Sequence, residues 1–206
     1  MARFADHTVA EFLDALASPD PTPGGGTAAA VAGAMGVSLL MMVAGLTRSR
    51  TNADSERAAL GESKAALSSV KDRMLALADT DTESFNQVMA AYRLPKSTDA
   101  EAQARRRAVQ RGMRAATEAP LETLRTAVDA MKHARVVAEH GHRSAASDVR
   151  VALELLEASA AGAAANVEIN LASLDDEGFR KSAASDVLER TNHMTEDAAA
   201  ARAALS

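Results

Sequence analysis

Between Thr27 and Leu46 the chain carries no charged side chain, and Pro21-Thr22-Pro23-Gly24-Gly25-Gly26 leads into that stretch. The two prolines hold residues 20 and 22 away from helical geometry. The three glycines permit backbone shapes and close approaches that a Cβ would block. The apolar stretch predicts a helix, capped by Thr27 or Gly26, whose first amide N–H groups point into the glycine loop. Such a turn favours negative charge or carbonyl oxygens, so a small polar ligand can dock there. It is not a nucleotide-binding P-loop, because Thr27 is followed by Ala28-Ala29-Ala30 with no lysine.

The stretch is also long enough to span a bilayer. Its content is mainly alanine and glycine, which contribute little to insertion. The reading adopted is a central helix buried on all sides by other helices or by a second subunit, with no membrane partner. Hydrophobic residues make up 47% of the chain and aromatics only 2%. The core is therefore built from Ala, Leu, Val and Met, and helices must approach closely. The expected fold is all-α, a bundle of long antiparallel helices around the Ala/Gly-rich one, as a single domain over residues 1–206. A net charge of −5 argues against a nucleic-acid partner. With no cysteine there is no disulfide, no thiolate nucleophile and no cysteine-based zinc site. The N-terminus lacks the basic flank and apolar core of a signal peptide, so a cytoplasmic location is expected.

Thr8-Val9-Ala10-Glu11 and Thr98-Asp99-Ala100-Glu101 read as capping boxes opening helices. A long amphipathic helix is expected from about Asp54 to Ala91, stopped by Pro95. Pro120 is read as the first turn of a new helix, dividing 98–118 from 120–139. Gly141 breaks that helix, Ser144 or Ser147 caps the next to about Leu174, and one or two exposed helices with alternating charge follow from Asp175.

Three further groups can carry chemistry. In His140-Gly141-His142-Arg143-Ser144-Ala145-Ala146-Ser147-Asp148, the carboxylate of Asp148 sits where a helix begins, which fixes its direction. The plainer reading makes Ser147 and Asp148 caps and the histidines ordinary loop residues. No third ligand lies nearby for a metal. His142 or His140 can shuttle a proton. Asp81 stands one turn before Phe85 in an apolar helix, where a carboxyl with a raised pKa would act as acid or base; most such acids are solvated. Asn166 and Asn170 share a helical face among Ala, Val, Ile and Leu, and buried amides must bond something.

Taken in order, these landmarks resemble the cyclodeaminase/cyclohydrolase family. They are Pro21 to Gly26 before an Ala-rich helix, Asp81 with Phe85, Leu94-Pro95-Lys96, Arg105, Ala116-Thr117 with Pro120-Leu121, Ser147-Asp148-Val149, and Asn166-Val167 with Asn170-Leu171. The resemblance spans about Val9 to Asp175. It implies a dimerising helical bundle that binds folate in a crevice lined by the glycine loop. It implies chemistry at the carbon bridging N5 and N10 of tetrahydrofolate. The favoured activity is hydrolysis of the 5,10-methenyl form to 10-formyltetrahydrofolate. The alternatives are closure of 5-formimidoyltetrahydrofolate with loss of ammonia, or a diverged binding protein without turnover. On this resemblance Asp148, Asp81 and His142 are the catalytic candidates. Pro23, Gly24, Gly25, Gly26, Thr27, Lys96, Arg105, Ser147, Asn166 and Asn170 are the substrate-binding candidates, with Lys96 or Arg105 gripping a folate carboxylate. No metal or cofactor is expected beyond the folate substrate, and the expected assembly is a homodimer. The chain departs from the family at His142, where asparagine is usual, at Arg150, where a small residue is usual, and at Arg50-Thr51-Asn52-Ala53, where a Lys-rich segment ending in Tyr is usual. The expectation that matters most is that Asp81, Asp148 and the glycine loop border one hollow.

Overall fold

The computed structural model describes residues 3–46 and 53–205. After a 3-10 turn at Phe4–Asp6 come six helices, α1 Val9–Ala17, α2 Gly25–Gly45, α3 Asp54–Tyr92, α4 Asp99–His140, α5 Ala146–Leu171 and α6 Glu177–Ala204. There is no strand among the described residues, and the all-α bundle is as expected. Arg48 and Arg50, whose cations suit the C-terminal end of the apolar helix, and the departure from the family over residues 50–52 lie outside the described residues.

The capping boxes form as read. Glu11 N–H donates to Thr8 Oγ1 at 3.2 Å while Thr8 N–H donates to Glu11 Oε2 at 2.7 Å, and Thr98 and Glu101 repeat the pattern. The uncharged helix α2 lies between α3 and α5 and runs antiparallel to both. Its glycines set the approach: a Cβ on Gly33 would fall 2.7 Å from Ser159 Oγ and 2.8 Å from the Met74 methyl, and one on Gly36 would fall 2.9 Å from the Ala152 carbonyl oxygen. Val37, Leu40 and Val43 are fully buried with Leu67, Met74, Leu124, Met131, Leu153 and Leu156. α2 has the length and composition to cross a membrane, but ten of its residues are buried by the bundle, as in a core helix.

Two readings are corrected. The region from Thr98 to Glu139 is one helix, α4, with Pro120 inside it. Proline cannot donate to the carbonyl four residues back, which would orphan the Ala116 oxygen. Asn170 Nδ2, on α5, donates to that oxygen at 2.8 Å. The backbone defect is filled from another helix, so α4 need not end. The tail, expected to be exposed, is the single helix α6, which buries Ala183, Val187, Met194, Ala198 and Ala201 against α4 and α5. Ion pairs hold its outer edge: Arg125 Nε on α4 donates to Asp186 Oδ2 at 2.7 Å, and Arg202 grips Glu154 and Glu157 on α5.

Candidate functional site

α2 begins at Gly25 with Gly24 as its N-cap, so Thr27 and Gly26 are inside the helix and do not cap it. Gly24 supplies no side-chain acceptor, which leaves the first-turn N–H groups of α2 to other partners. The helix before it ends at Ala17, and the connection carries a cis Thr22–Pro23 peptide.

Asp81 of α3 is the partner. Its carboxylate lies where a Cβ on Gly26 would be: 2.2 Å from Oδ1, 2.6 Å from Cγ and 2.8 Å from Oδ2. Only glycine at 26 allows the acid to sit there. Thr27, with no exposed surface, donates its hydroxyl to Asp81 Oδ2 at 3.0 Å. Burial pushes the Asp81 carboxyl above its ordinary pKa; the hydroxyl and backbone N–H of Thr27 pull the other way without cancelling it. The result is a desolvated carboxyl fixed at a helix N-terminus, suited to exchange a proton or to face a cation.

Asn166 closes the junction from α5. Its Nδ2 donates to Gly162 O at 2.8 Å and lies 3.8 Å from the Cβ position of Gly25. Gly25 is exposed, while Pro23, Gly24, Asp81 and Asn166 are half-buried, so solvent reaches the junction. The structure thus brings together Gly24, Gly25, Gly26, Thr27, Asp81 and Asn166.

The other candidates lie elsewhere. Asp148 does not share a hollow with Asp81 in one chain. It sits in the first turn of α5, and Asn166 is 18 residues further along the same helix, which is about 27 Å of rise. Chain order gives no sign of this, because α5 runs antiparallel to α2 and brings its start beside the far end of α2. Ser147 is exposed there and does not cap α5, whose N-cap is Ala145. His142 shares that end. Its Nδ1 meets the Ser144 hydroxyl at 2.7 Å and accepts from Ser144 N–H at 3.3 Å, capping the turn Arg143–Ala145. Arg150 is exposed on the same end, so its charge is remote from Asp81 of its own chain. Lys96 is exposed in the α3–α4 connection. Arg105 closes the end of α3 by donating from Nε and Nη2 to Tyr92 O at 3.1 and 3.0 Å, with its guanidinium 5.5 Å from the Tyr92 ring centroid. Asn170 serves the Ala116 carbonyl described above.

Sequence reasoning passed over Thr82. It is buried, and its hydroxyl lies 3.2 Å from that of Thr27. The available signal was its place beside Asp81 in an otherwise apolar register. A separate depression of about 540 Å³ opens between α3, α4 and α6, lined by Glu83, Ser84, Glu118, Glu122, Arg125 and Phe179. None of the site candidates lines it. Among the described residues no group of three or more His, Asp or Glu is arranged to hold a metal.

A profile of the formiminotransferase-cyclodeaminase family matches residues 8–189. The chain is 38% identical over 174 residues to a methenyltetrahydrofolate cyclohydrolase of Methylorubrum extorquens, covering 84% of each. It is 31% identical over 169 residues to the formimidoyltransferase-cyclodeaminase of Gallus gallus, covering 82% of this chain but only 31% of that larger protein. The fold matches the crystal structure of a formiminotetrahydrofolate cyclodeaminase from Thermotoga maritima with a TM-score of 0.87 at 29% identity, covering 98% of this chain and 96% of that one.

Proposed function

The chain belongs to the formiminotransferase-cyclodeaminase family, and from that premise we propose that it acts on the carbon bridging N5 and N10 of tetrahydrofolate. The favoured reaction is hydrolysis of 5,10-methenyltetrahydrofolate to 10-formyltetrahydrofolate. The bacterial cyclohydrolase supports this choice, being similar along most of both chains. The observation that carries the reading is Asp81, a desolvated carboxyl seated at the start of α2 and open to solvent at the glycine loop.

The methenyl bridge is cationic, and a carboxylate in low dielectric stabilises it. Water adds to the bridging carbon, and Asp81 takes the proton lost from that water. The same carboxyl can return the proton to N5 as the carbon–N5 bond breaks. The hydroxyl on the bridging carbon gives up its remaining proton to solvent as its C=O forms, leaving the formyl group on N10 with one proton released overall. The exposed Gly25 edge and Asn166 are proposed to receive the pterin. The rest of the folate would run along α3, which continues past Asp81 to Tyr92, about 16 Å of helix, towards Lys96 and Arg105. No metal or other cofactor is required by this chemistry. Deamination of the formimidoyl form is the second reading, supported by the Thermotoga cyclodeaminase fold match. Purified protein mixed with methenyltetrahydrofolate should bleach its ultraviolet band faster than buffer alone. No rate with this substrate and none with the formimidoyl form would refute the proposal.

We further propose a homodimer, in the cytoplasm, formed through the outward face of α2 and α5. Met35 and Met42 on α2 and Val151 and Ile169 on α5 are 55%, 41%, 51% and 73% exposed. A two-fold axis near the middle of α2 reverses the partner's helices, and so brings Asp148 and His142 of one copy towards the glycine loop of the other. Mixing inactive Asp81→Asn and Asp148→Asn dimers should then restore about a quarter of native activity through hybrids with one intact site. Absence of recovery after verified subunit exchange would rule this out.

A further inference from the structure

The hydroxyls of Thr27 and Thr82 lie on the buried side of Asp81. Thr27 has no exposed surface and Thr82 only 4%. Three acceptors surround the single Thr27 hydroxyl hydrogen: Asp81 Oδ2 at 3.0 Å, the Thr82 oxygen at 3.2 Å and the Ala78 carbonyl at 3.4 Å. One hydrogen cannot serve all three, so the arrangement has more than one internally consistent state.

With Asp81 ionised, the Thr27 hydrogen goes to the carboxylate, the nearer and charged acceptor, and Thr82 donates to the Thr27 oxygen. With Asp81 protonated, the acid donates to the Thr27 oxygen and the Thr27 hydrogen swings to the Ala78 carbonyl. Neither state leaves the Thr27 hydroxyl unpaired. We infer that Thr27 and Thr82 form a reversible hydroxyl relay that positions Asp81 and lets it change protonation state without moving. They are positioning residues and do not touch substrate, which reassigns Thr27 from the binding role the sequence suggested.

Within one chain the surroundings isolate the relay from other charges; in the proposed dimer the titratable groups facing it are Asp148 and His142 of the partner copy. α2 carries no ionisable group at all. On α3, Asp79 is turned to the Phe4 amide, with Phe4 N–H donating to its Oδ1 at 2.8 Å, and Glu83 lines the outer depression. From α5 the near polar group is the neutral Asn166. Within one chain the two threonines are thus the groups that set the balance of the two states, and the same variants read in the assembled protein keep any partner charge constant.

This inference rests on the folate reading only for its catalytic consequence, and the test separates the two. The variants are Thr27→Val, Thr27→Ser and Thr82→Val, with Asp81→Asn to assign the Asp81 carboxyl signal. The carboxyl titration is followed by carbon NMR on the full chain, and turnover of methenyltetrahydrofolate is followed against pH. Thr27→Val should move the Asp81 midpoint upward, because the donor to the ionised state is lost. It should cut kcat at least tenfold with little change in KM. Thr27→Ser should restore both, and Thr82→Val should give the same upward movement in smaller measure. An unmoved Asp81 titration in both valine variants overturns the relay. A titration that moves while turnover does not keeps the relay and overturns the catalytic role of Asp81. Should Thr27→Val fail to fold, Thr82→Val alone decides by the same criterion.

Discussion

Replacing Gly26 with alanine should disable the site while leaving the bundle folded. The new Cβ would lie 2.2 Å from Asp81 Oδ1 and 2.6 Å from Cγ, distances at which one group must leave. The backbone of α2 is held by α3 and α5 on both sides, so the carboxylate moves. Losing the hydrogen bond from Thr27 to a charged acceptor costs about 1.5–3 kcal/mol. Two effects oppose that loss. Alanine is favoured over glycine in a helix by up to about 1 kcal/mol, and the evicted acid regains water. The net loss of stability is therefore about 1 kcal/mol, readable in a denaturant titration. Catalysis should fall on the order of a hundredfold, the usual consequence of a reacting group displaced by an ångström. Gly25→Ala is the control. Its Cβ would meet nothing closer than Asn166 Nδ2 at 3.8 Å, an ordinary contact, so the variant should match the native stability or exceed it by up to about 1 kcal/mol. If Gly26→Ala is as stable and as active as native protein, or if Gly25→Ala is the more destabilised of the two, the seating of Asp81 against α2 is wrong.

Asp81→Asn should lower turnover about a hundredfold or more while keeping the fold. Because burial raises the Asp81 pKa in the folded state, native stability from this group is present at acid pH and lost as pH rises through the folded pKa. The asparagine variant escapes that loss, so its stability relative to native should improve from acid to neutral pH; a constant difference in melts across that range would contradict the assignment. Activity that needs ionised Asp81 should decline as pH falls through the same raised pKa. Asn170→Ala should cost about 1–3 kcal/mol by stranding the Ala116 carbonyl. That cost should shrink in a Pro120→Ala background, where residue 120 regains its N–H, and a double-mutant cycle with no coupling would reject the explanation. His133, packed between α3 and α4 with Nδ1 3.3 Å from Ser63 Oγ, has its pKa lowered by burial. The unfolded chain therefore takes up the proton first as pH falls below the ordinary histidine value, and stability declines there. His133→Gln should flatten that acid limb in pH-dependent melts.

The helices were legible because their signals are local. The capping boxes at Thr8 and Thr98 and the uncharged span of α2 announce themselves within a few residues. Pro120 was misread for the same reason: the rule that proline opens a helix assumes that the carbonyl four residues back stays unpaired, and the donor comes from Asn170, distant in sequence. Asp81 was legible as an acid in an apolar helix. Its seat was legible only in part, since Gly26 had meaning as a flexible residue but not as the space for a particular carboxylate. The separation of Asp148 from Asp81 could not be read at all. Both acids lie on helices that flank α2 in space, and only the direction in which α3 and α5 pass that helix decides which end each one reaches.

The amide that Asn170 lends to Ala116 has a consequence for alignment. A one-turn slide of α5 along α4 would strand the proline-freed oxygen, so this single bond works as a registration peg between the two rods. Asn166 stands one turn before that peg on the same rod. The height at which its amide meets the glycine corner is thus fixed from behind, by a missing hydrogen on Pro120 of a different helix.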